Sequence, residues 1–200
     1  MANIRKFDRH NVLHKASHIF WAKGYAGTSI RDIQDAVNMR PGSIYAAFES
    51  KEGLYREALI LYSKRMLELL NQHTSQAPSI AQGLQAFVEY VILDTKKEAP
   101  TGICMLFRAN GEFYQQNQTL FEFSQALLMT YEEKMTEVFA LAKERGELSP
   151  QFDEKAAGQQ FVIQFTGLRN YLNGRNHALL AKPLISKMIT SVLQSEQIIN

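Results

Sequence analysis

The stretch that decides the fold is TSIRDIQDAVNMRPGSIYAAFESKEGL, Thr28 to Leu54. Ser29 with Asp32 three residues on resembles a capping box, the start of a helix. Ile30, Ile33 and Val37 lie at i, i+3 and i+7, one buried stripe on a two-turn helix over about 30–37. Asn38-Met39-Arg40 breaks that pattern, and Asn38 tolerates a left-handed backbone. Pro41 opens a second short helix, where its missing N–H costs nothing. Ile44 and Phe48 form the inward face of that helix, which ends near 48. Two short helices joined by a three-residue break are the helix-turn-helix pattern.

Subtracting the core face of the second helix leaves Arg40, Gly42, Ser43, Tyr45, Ala46 and Ala47 outward. A helix that enters the major groove of DNA needs small residues for close approach, short polar groups for base edges and phosphate holders at its flanks. Gly42 lets the backbone come near, and Ser43 can meet a base. The Tyr45 hydroxyl can bond a phosphate, and Ala46 can offer its methyl to thymine. Lys51 and Thr28 stand at helix starts, where anions are favoured. The expected DNA contacts are therefore Thr28, Ser29, Arg40, Gly42, Ser43, Tyr45, Ala46 and Lys51. The plainer alternative is a solvated helical hairpin with an exposed tyrosine.

Around this segment the whole 200-residue chain reads as helix. Apolar residues recur at helical spacing, and the five prolines (41, 78, 100, 150 and 183) fall where helices should begin or end. The spacing predicts about nine helices, over 8–23, 30–37, 41–48, 51–72, 80–96, 103–112, 118–144, 153–173 and 182–197. The fold class is all-α, with an N-terminal three-helix DNA-binding domain over 1–50 and a helical ligand-sensing and dimerisation domain over 51–200.

Composition fits a globular protein, with 46% hydrophobic and 21% charged residues. No secretory pattern opens the chain and no apolar run is long enough to span a membrane, so a cytoplasmic location is expected. One cysteine, Cys104, cannot form an intramolecular disulfide. The net charge of +2 hides an asymmetry. Residues 1–65 carry eleven Lys and Arg against six Asp and Glu, while the remainder carries eleven against fourteen. A basic N-terminal third is the mark of a polyanion-binding module. No nucleophile elbow, zinc-protease, P-loop or paired-carboxylate motif supports an enzyme, and no cofactor is implied.

Thr28 and Ile33, then Gly42-Ser43-Ile44-Tyr45, then Phe48-Glu49-Ser50-Lys51-Glu52-Gly53-Leu54 resemble the DNA-binding signature of the tetracycline-repressor (TetR) family. Val12-Leu13, Ala16, Ile19-Phe20 and Gly24-Tyr25 are similar to the family's first helix. The match covers about residues 8–60; downstream, the helical layout and Gly146-Glu147-Leu148 agree. There are departures: Ala36-Val37-Asn38 stands where Ala-Gly is frequent, Pro41 replaces a polar residue, and Ala47 stands where many members have His or Tyr. The resemblance implies a homodimeric regulator on a palindromic double-stranded operator, a repressor released by a small-molecule effector. It also implies a ligand cavity among the fourth to eighth helices and a dimer built from the last two.

Phe161, Phe165 and Leu168, with Gly158 and Gly167, and Leu184, Met188 and Val192 are the candidate dimer residues; the alternative is that both stripes face one monomer's core. Cys104, Phe107, Arg108, Phe113, Phe121, Tyr131, Phe165 and Arg169 are the pocket candidates, against a plain aromatic core. Arg108 and Arg169 need an acid or an anionic ligand if buried, and Glu112 or Glu137 could serve internally. Cys104 reads as a buried inert thiol or, with Arg108 one turn on, as a redox sensor. His10, His14 and His18 form a helical row that reads as a solvated face, or as two imidazoles for a metal.

Overall fold

A computed structural model describes residues 8–94, 99–173 and 178–194 of the chain. The described residues form nine α-helices and one π-helical turn, and no strand. The helices are α1 (Arg9–Lys23), α2 (Ile30–Val37), α3 (Pro41–Phe48), α4 (Lys51–Gln76), α5 (Ile80–Glu89), α6 (Met105–Phe113), α7 (Gln118–Glu144), α8 (Glu154–Leu172) and α9 (Ala178–Leu193). The π-turn, Tyr90–Asp94, follows α5 directly.

Most helices start on a polar cap that the sequence supplies. Asp8, Ser29, Ser50, Ser79, Asn117 and Asp153 each accept a bond from a first-turn N–H. Such caps satisfy donors that the helix itself leaves open. Gly24 ends α1 at φ +78°, a backbone that a side chain would strain.

Three boundaries differ from expectation: α4 runs on to Gln76, four residues past its expected end at 72, and two others lie near the π-turn and at the start of α9. The α-helix expected to continue to 96 changes to a π-turn at Tyr90, and residues 95 and 96 lie outside the described residues. The last helix begins at Ala178, so Pro183 lies inside it instead of opening it. Pro183 would deprive the Leu179 carbonyl of its helical donor. Leu179 is 93% exposed, so water can replace that donor.

One continuous apolar core runs from Val12 in α1 to Val192 in α9. In its N-terminal part α1 packs on α4, and α2 and α3 close over them through Ile33, Ile44 and Phe48. Tyr55 of α4 is the hub of an aromatic cluster. Its ring meets Phe20 of α1 at 4.8 Å, Tyr25 at 5.1 Å and Phe113 of α6 at 5.6 Å. Edge-to-face contacts of this kind add to the burial of area. The cluster ties the α1–α2 loop to α6. In the C-terminal part α7 packs on α8, α8 on α9, and α5 on α4 and α9.

Candidate nucleic-acid interface

The helix-turn-helix is held by local hydrogen bonds. Ser29 Oγ accepts from the Asp32 N–H (3.1 Å), and the Asp32 carboxylate accepts from the Ser29 N–H (2.7 Å). Lys23 adds an ion pair to Asp32. The Lys23 hydrogen bond first, then those from Ser29, hold the Asp32 carboxyl well below the usual carboxylate range. Asn38 takes the left-handed conformation (φ 54°) that turns the chain, and its N–H bonds to the Gln34 carbonyl. Ser50 caps α4 by accepting from Gly53 N–H (2.9 Å). A Cβ on Gly53 would lie 2.3 Å from the Phe48 carbonyl oxygen, so α3 and α4 can meet this closely only with glycine there.

On this scaffold Ile44 and Phe48 are buried, as the spacing predicts, and Arg40, Gly42, Ser43, Tyr45 and Ala46 are exposed on α3. Tyr45 is 44% exposed and presents its ring outward. Three residues sit differently from expectation. Ala47 is half-buried against the core, not outward, because it shares the flank of the helix next to Phe48. Thr28 is buried, and its hydroxyl donates to the Gly24 carbonyl (2.6 Å), closing the α1–α2 loop where a free phosphate anchor was expected. Lys51 is half-buried, with its ammonium 4.1 Å over the Tyr25 ring. Burial lowers its pKa, against the raising influence of Glu112 and Asp32. Ser29 is exposed, but its hydroxyl serves the cap.

Much of the basic excess of the N-terminal third is engaged internally. Lys15 donates to the Ala36 carbonyl at the end of α2. Arg9 pairs with Glu57 and lies over the Phe48 ring. Arg31 and Arg40 are exposed and make no ion pair among the described residues. Arg31 was not among the expected contacts, though the sequence holds a signal for it. It is the second residue of α2, where a cation opposes the helix dipole and gains nothing from its own helix.

The downstream candidates divide. Arg108 does not face a pocket: its Nη1 donates to the carbonyls of Trp21 and Ala22, both at 3.0 Å. Glu112, on the same helix, accepts from the N–H groups of Tyr25 (3.0 Å) and Ala26 (2.6 Å). Together they grip the end of α1 from α6. Phe113 belongs to the Tyr25–Tyr55 cluster, and Phe121 packs edge-on against exposed Tyr114. Phe165 packs between Phe87 and Phe161. Phe107 and Cys104 are half-buried. Tyr131 and Arg169 are buried, and each has a polar atom without a partner. Of the pocket candidates only Arg169 lines the cavity described below.

Of the dimer candidates, Phe161, Phe165 and Val192 are buried in their own chain, and Met188 is largely buried but forms part of the floor of the groove described next. Gly158 lets α8 approach α7, where a Cβ would lie 2.9 Å from Thr136 Oγ1. Leu168, Leu184 and Met188 line an open groove, together with Gln164, Gly167, Tyr171, Lys187 and Ser191. On α8 the groove is lined by Gln164, Gly167, Leu168 and Tyr171, of which Gly167 and Tyr171 are exposed and Gln164 and Leu168 half-buried.

The fold and this surface define a class: a helix-turn-helix protein whose second part is a larger helical unit. Residues 12–58 match the family described as bacterial regulatory proteins, tetR family. The chain is 32% identical over 105 residues to the HTH-type transcriptional repressor ComR of Escherichia coli, covering 50% of this chain and 49% of ComR. It is 30% identical over 83 residues to the negative transcriptional regulator IcaR of Staphylococcus epidermidis, covering 42% and 44%. The chain thus spans about half the length of these curated relatives. Among solved structures, a cysteine mutant of the TetR-family regulator CifR, complexed with a 26-bp operator DNA, superposes with a TM-score of 0.80 at 25% identity, over 94% of this chain and 98% of that one. A TetR-family regulator from Cytophaga hutchinsonii reaches 0.82 at 17% identity, over 92% of each chain. Residues 12–58 are thus similar to the DNA-binding segment of that family, and the fold of the described residues is that of TetR-family regulators of known structure. No helix among the described residues is long and apolar enough to cross a membrane.

Proposed function

We propose that the protein is a sequence-specific DNA-binding transcriptional regulator, a repressor released from a palindromic operator by a small-molecule effector. The observation that carries the reading is the outward face of α3. Gly42, Ser43, Tyr45 and Ala46 are exposed and small or polar, beside Arg40, on a helix whose other face is fixed by Ile44 and Phe48. A rigid helix with a low-profile outer face suits the major groove. Arg40, Arg31 and Tyr45 hold phosphates, and Ser43 and the Ala46 methyl read bases. Repression is supported by the repressor ComR and the negative regulator IcaR, and operator binding by the CifR complex.

The protein acts as a homodimer in the cytoplasm and has no enzymatic role. Residues 1–50 form the DNA-binding unit and 51–200 the sensing and dimerisation unit. The dimer uses the outer stripes of α8 and α9, Gln164, Gly167, Leu168 and Tyr171 with Leu184 and Lys187, which form an open groove. A two-fold dimer matches a two-fold operator. The effector changes the spacing of the two α3 helices by a population shift.

The test is fluorescence anisotropy on a palindromic fragment selected from random DNA. Wild type binds it in preference to random duplex, and binding weakens with salt. Tyr45→Ala and Arg40→Ala lose affinity for it. Equal binding of both duplexes by wild type and variants refutes operator recognition.

A further inference from the structure

A cavity of about 130 Å³ lies where α1, α4, the π-turn and α8 meet. Trp21, Tyr62, Met66 and Tyr90 give it an aromatic and apolar wall, and Arg169 closes one side. The rest of the lining includes His14, His18 and Arg65, and among the described residues no acidic side chain lines it. The π-turn contributes Tyr90 and Val91. Such turns interrupt an α-helix at a cost and occur often at functional sites.

Arg169 is the unusual member. It is 4% exposed, and its guanidinium makes a single hydrogen bond among the described residues, Nη1 to Tyr62 Oη at 3.1 Å. Its Nε is buried without a partner, and the buried Tyr131 hydroxyl close by has none either. The Phe165 ring, 5.4 Å away, offers only partial compensation. Tyr62 cannot neutralise the charge, because burial pushes its phenol above the usual range and keeps the proton on it. A buried guanidinium without an anion is expensive to keep. Neither Glu112 nor Glu137 meets the need: Glu112 is committed to the α1–α2 loop, and Glu137 pairs with Lys134 on an exposed face.

We infer that this cavity is a receptor for a small organic carboxylate, whose charged group bonds Arg169 and the Tyr62 hydroxyl while a ring or short chain lies against Trp21, Met66 and Tyr90. A carboxylate matches the fork of a guanidinium. A dry cavity of about 150 Å³ holds benzene, so this one suits a single ring or a chain of about five carbons. The ligand would touch α1 directly through Trp21, whose indole N–H is already fixed to the Ile103 carbonyl at 2.7 Å. It would therefore bear on the joint between the DNA-binding helices and the rest of the chain. The inference rests on the proposed effector-controlled regulator and names the class of its effector.

The experiment uses the full chain, with sodium benzoate and sodium hexanoate as probes, and benzamide and sodium chloride as controls. Thermal melting and calorimetric titration are run on wild type, Arg169→Met and Arg169→Lys. In wild type, at about 10 mM, at least one carboxylate raises the melting temperature by a few degrees, and benzamide and chloride do not. Arg169→Met without ligand melts at or above wild type, because an uncompensated charge has been removed, and it binds the carboxylate at least about tenfold more weakly. Arg169→Lys keeps the charge but loses the fork, and falls between. The proposal is overturned if neither carboxylate shifts wild type, if benzamide shifts it equally, or if Arg169→Met unfolds or binds as wild type does. Operator affinity is measured in the same samples. Carboxylate binding that leaves DNA affinity unchanged keeps the site and refutes the effector role instead.

Discussion

Glu112→Ala should separate the DNA-binding helices from the rest of the molecule. The Glu112 carboxylate accepts two backbone N–H bonds, from Tyr25 at 3.0 Å and Ala26 at 2.6 Å. These donors lie in the turn between α1 and α2, which has no other partner for them among the described residues. A hydrogen bond to a charged group contributes about 1.5–3 kcal/mol when well formed. Glu112 is half-buried, so solvent weakens both, and the pair together should contribute about 2 kcal/mol. In a chain of this size that is a fall in melting temperature of roughly 4–8 °C. Glu112→Gln keeps one acceptor oxygen and turns an N–H₂ toward the other donor, so it should lose at least half as much. Urea denaturation followed by circular dichroism gives the stability. Anisotropy on the selected operator gives the functional cost, which should exceed the loss seen for an exposed control such as Glu133→Ala. Arg108→Ala should reproduce part of the effect, since Arg108 binds the Trp21 and Ala22 carbonyls one turn away. A Glu112→Ala protein within about 0.5 kcal/mol of wild type would refute the reasoning, because a change that small is typical of an uninvolved surface residue.

Asp32 gives a pH prediction. Its carboxyl is held below the ordinary 3.8, so its stabilisation is present above that value and lost only as pH falls through the lower folded value. The melting deficit of Asp32→Asn should therefore be constant from about pH 7 to 5 and shrink in more acidic buffer; a deficit that grows on acidification refutes it. Gly53→Ala drives a Cβ to 2.3 Å from the Phe48 carbonyl oxygen and should cost about 1–3 kcal/mol by denaturant titration, with loss of DNA binding. Leu168→Glu with Leu184→Glu should yield folded monomers by sedimentation velocity. Phe161→Ala, in the chain's own core, should instead cost about 3–5 kcal/mol and leave the surviving folded fraction dimeric.

The helix-turn-helix was legible because its information is local. Ser29 and Asp32 cap, Asn38 turns, Pro41 starts, and Ile33, Ile44 and Phe48 face inward, all within about twenty residues. The rest depends on phase and on distant partners. On α8, Phe161, Phe165 and Leu168 share a broad apolar arc, and a shift of one position, about 100°, separates core from surface. The sequence could not show which edge of the arc is covered by α9. Arg108 and Arg169 read alike as candidate pocket arginines. Only the fold brings Trp21 and Ala22 to the first and leaves the second among tyrosines.

The same distinction changes what the basic N-terminal third means. Its charge excess suggested a surface of cations for phosphate, yet Lys15, Lys23, Arg9 and Lys51 are turned to a carbonyl, two carboxylates and aromatic rings. These cations build the scaffold and leave Arg31 and Arg40 facing outward. With so few free cations among the described residues, the proposed DNA face must draw on neutral donors as well: the Tyr45 and Ser43 hydroxyls and the first-turn N–H groups of α2 and α4 that their caps leave open. Such donors act only over short distances and in fixed directions, so they contribute little until the phosphates are in register. In the proposed dimer, scarcity of free cations among the described residues of this surface therefore favours discrimination over raw affinity, and makes the spacing of the two α3 helices the quantity that would decide binding.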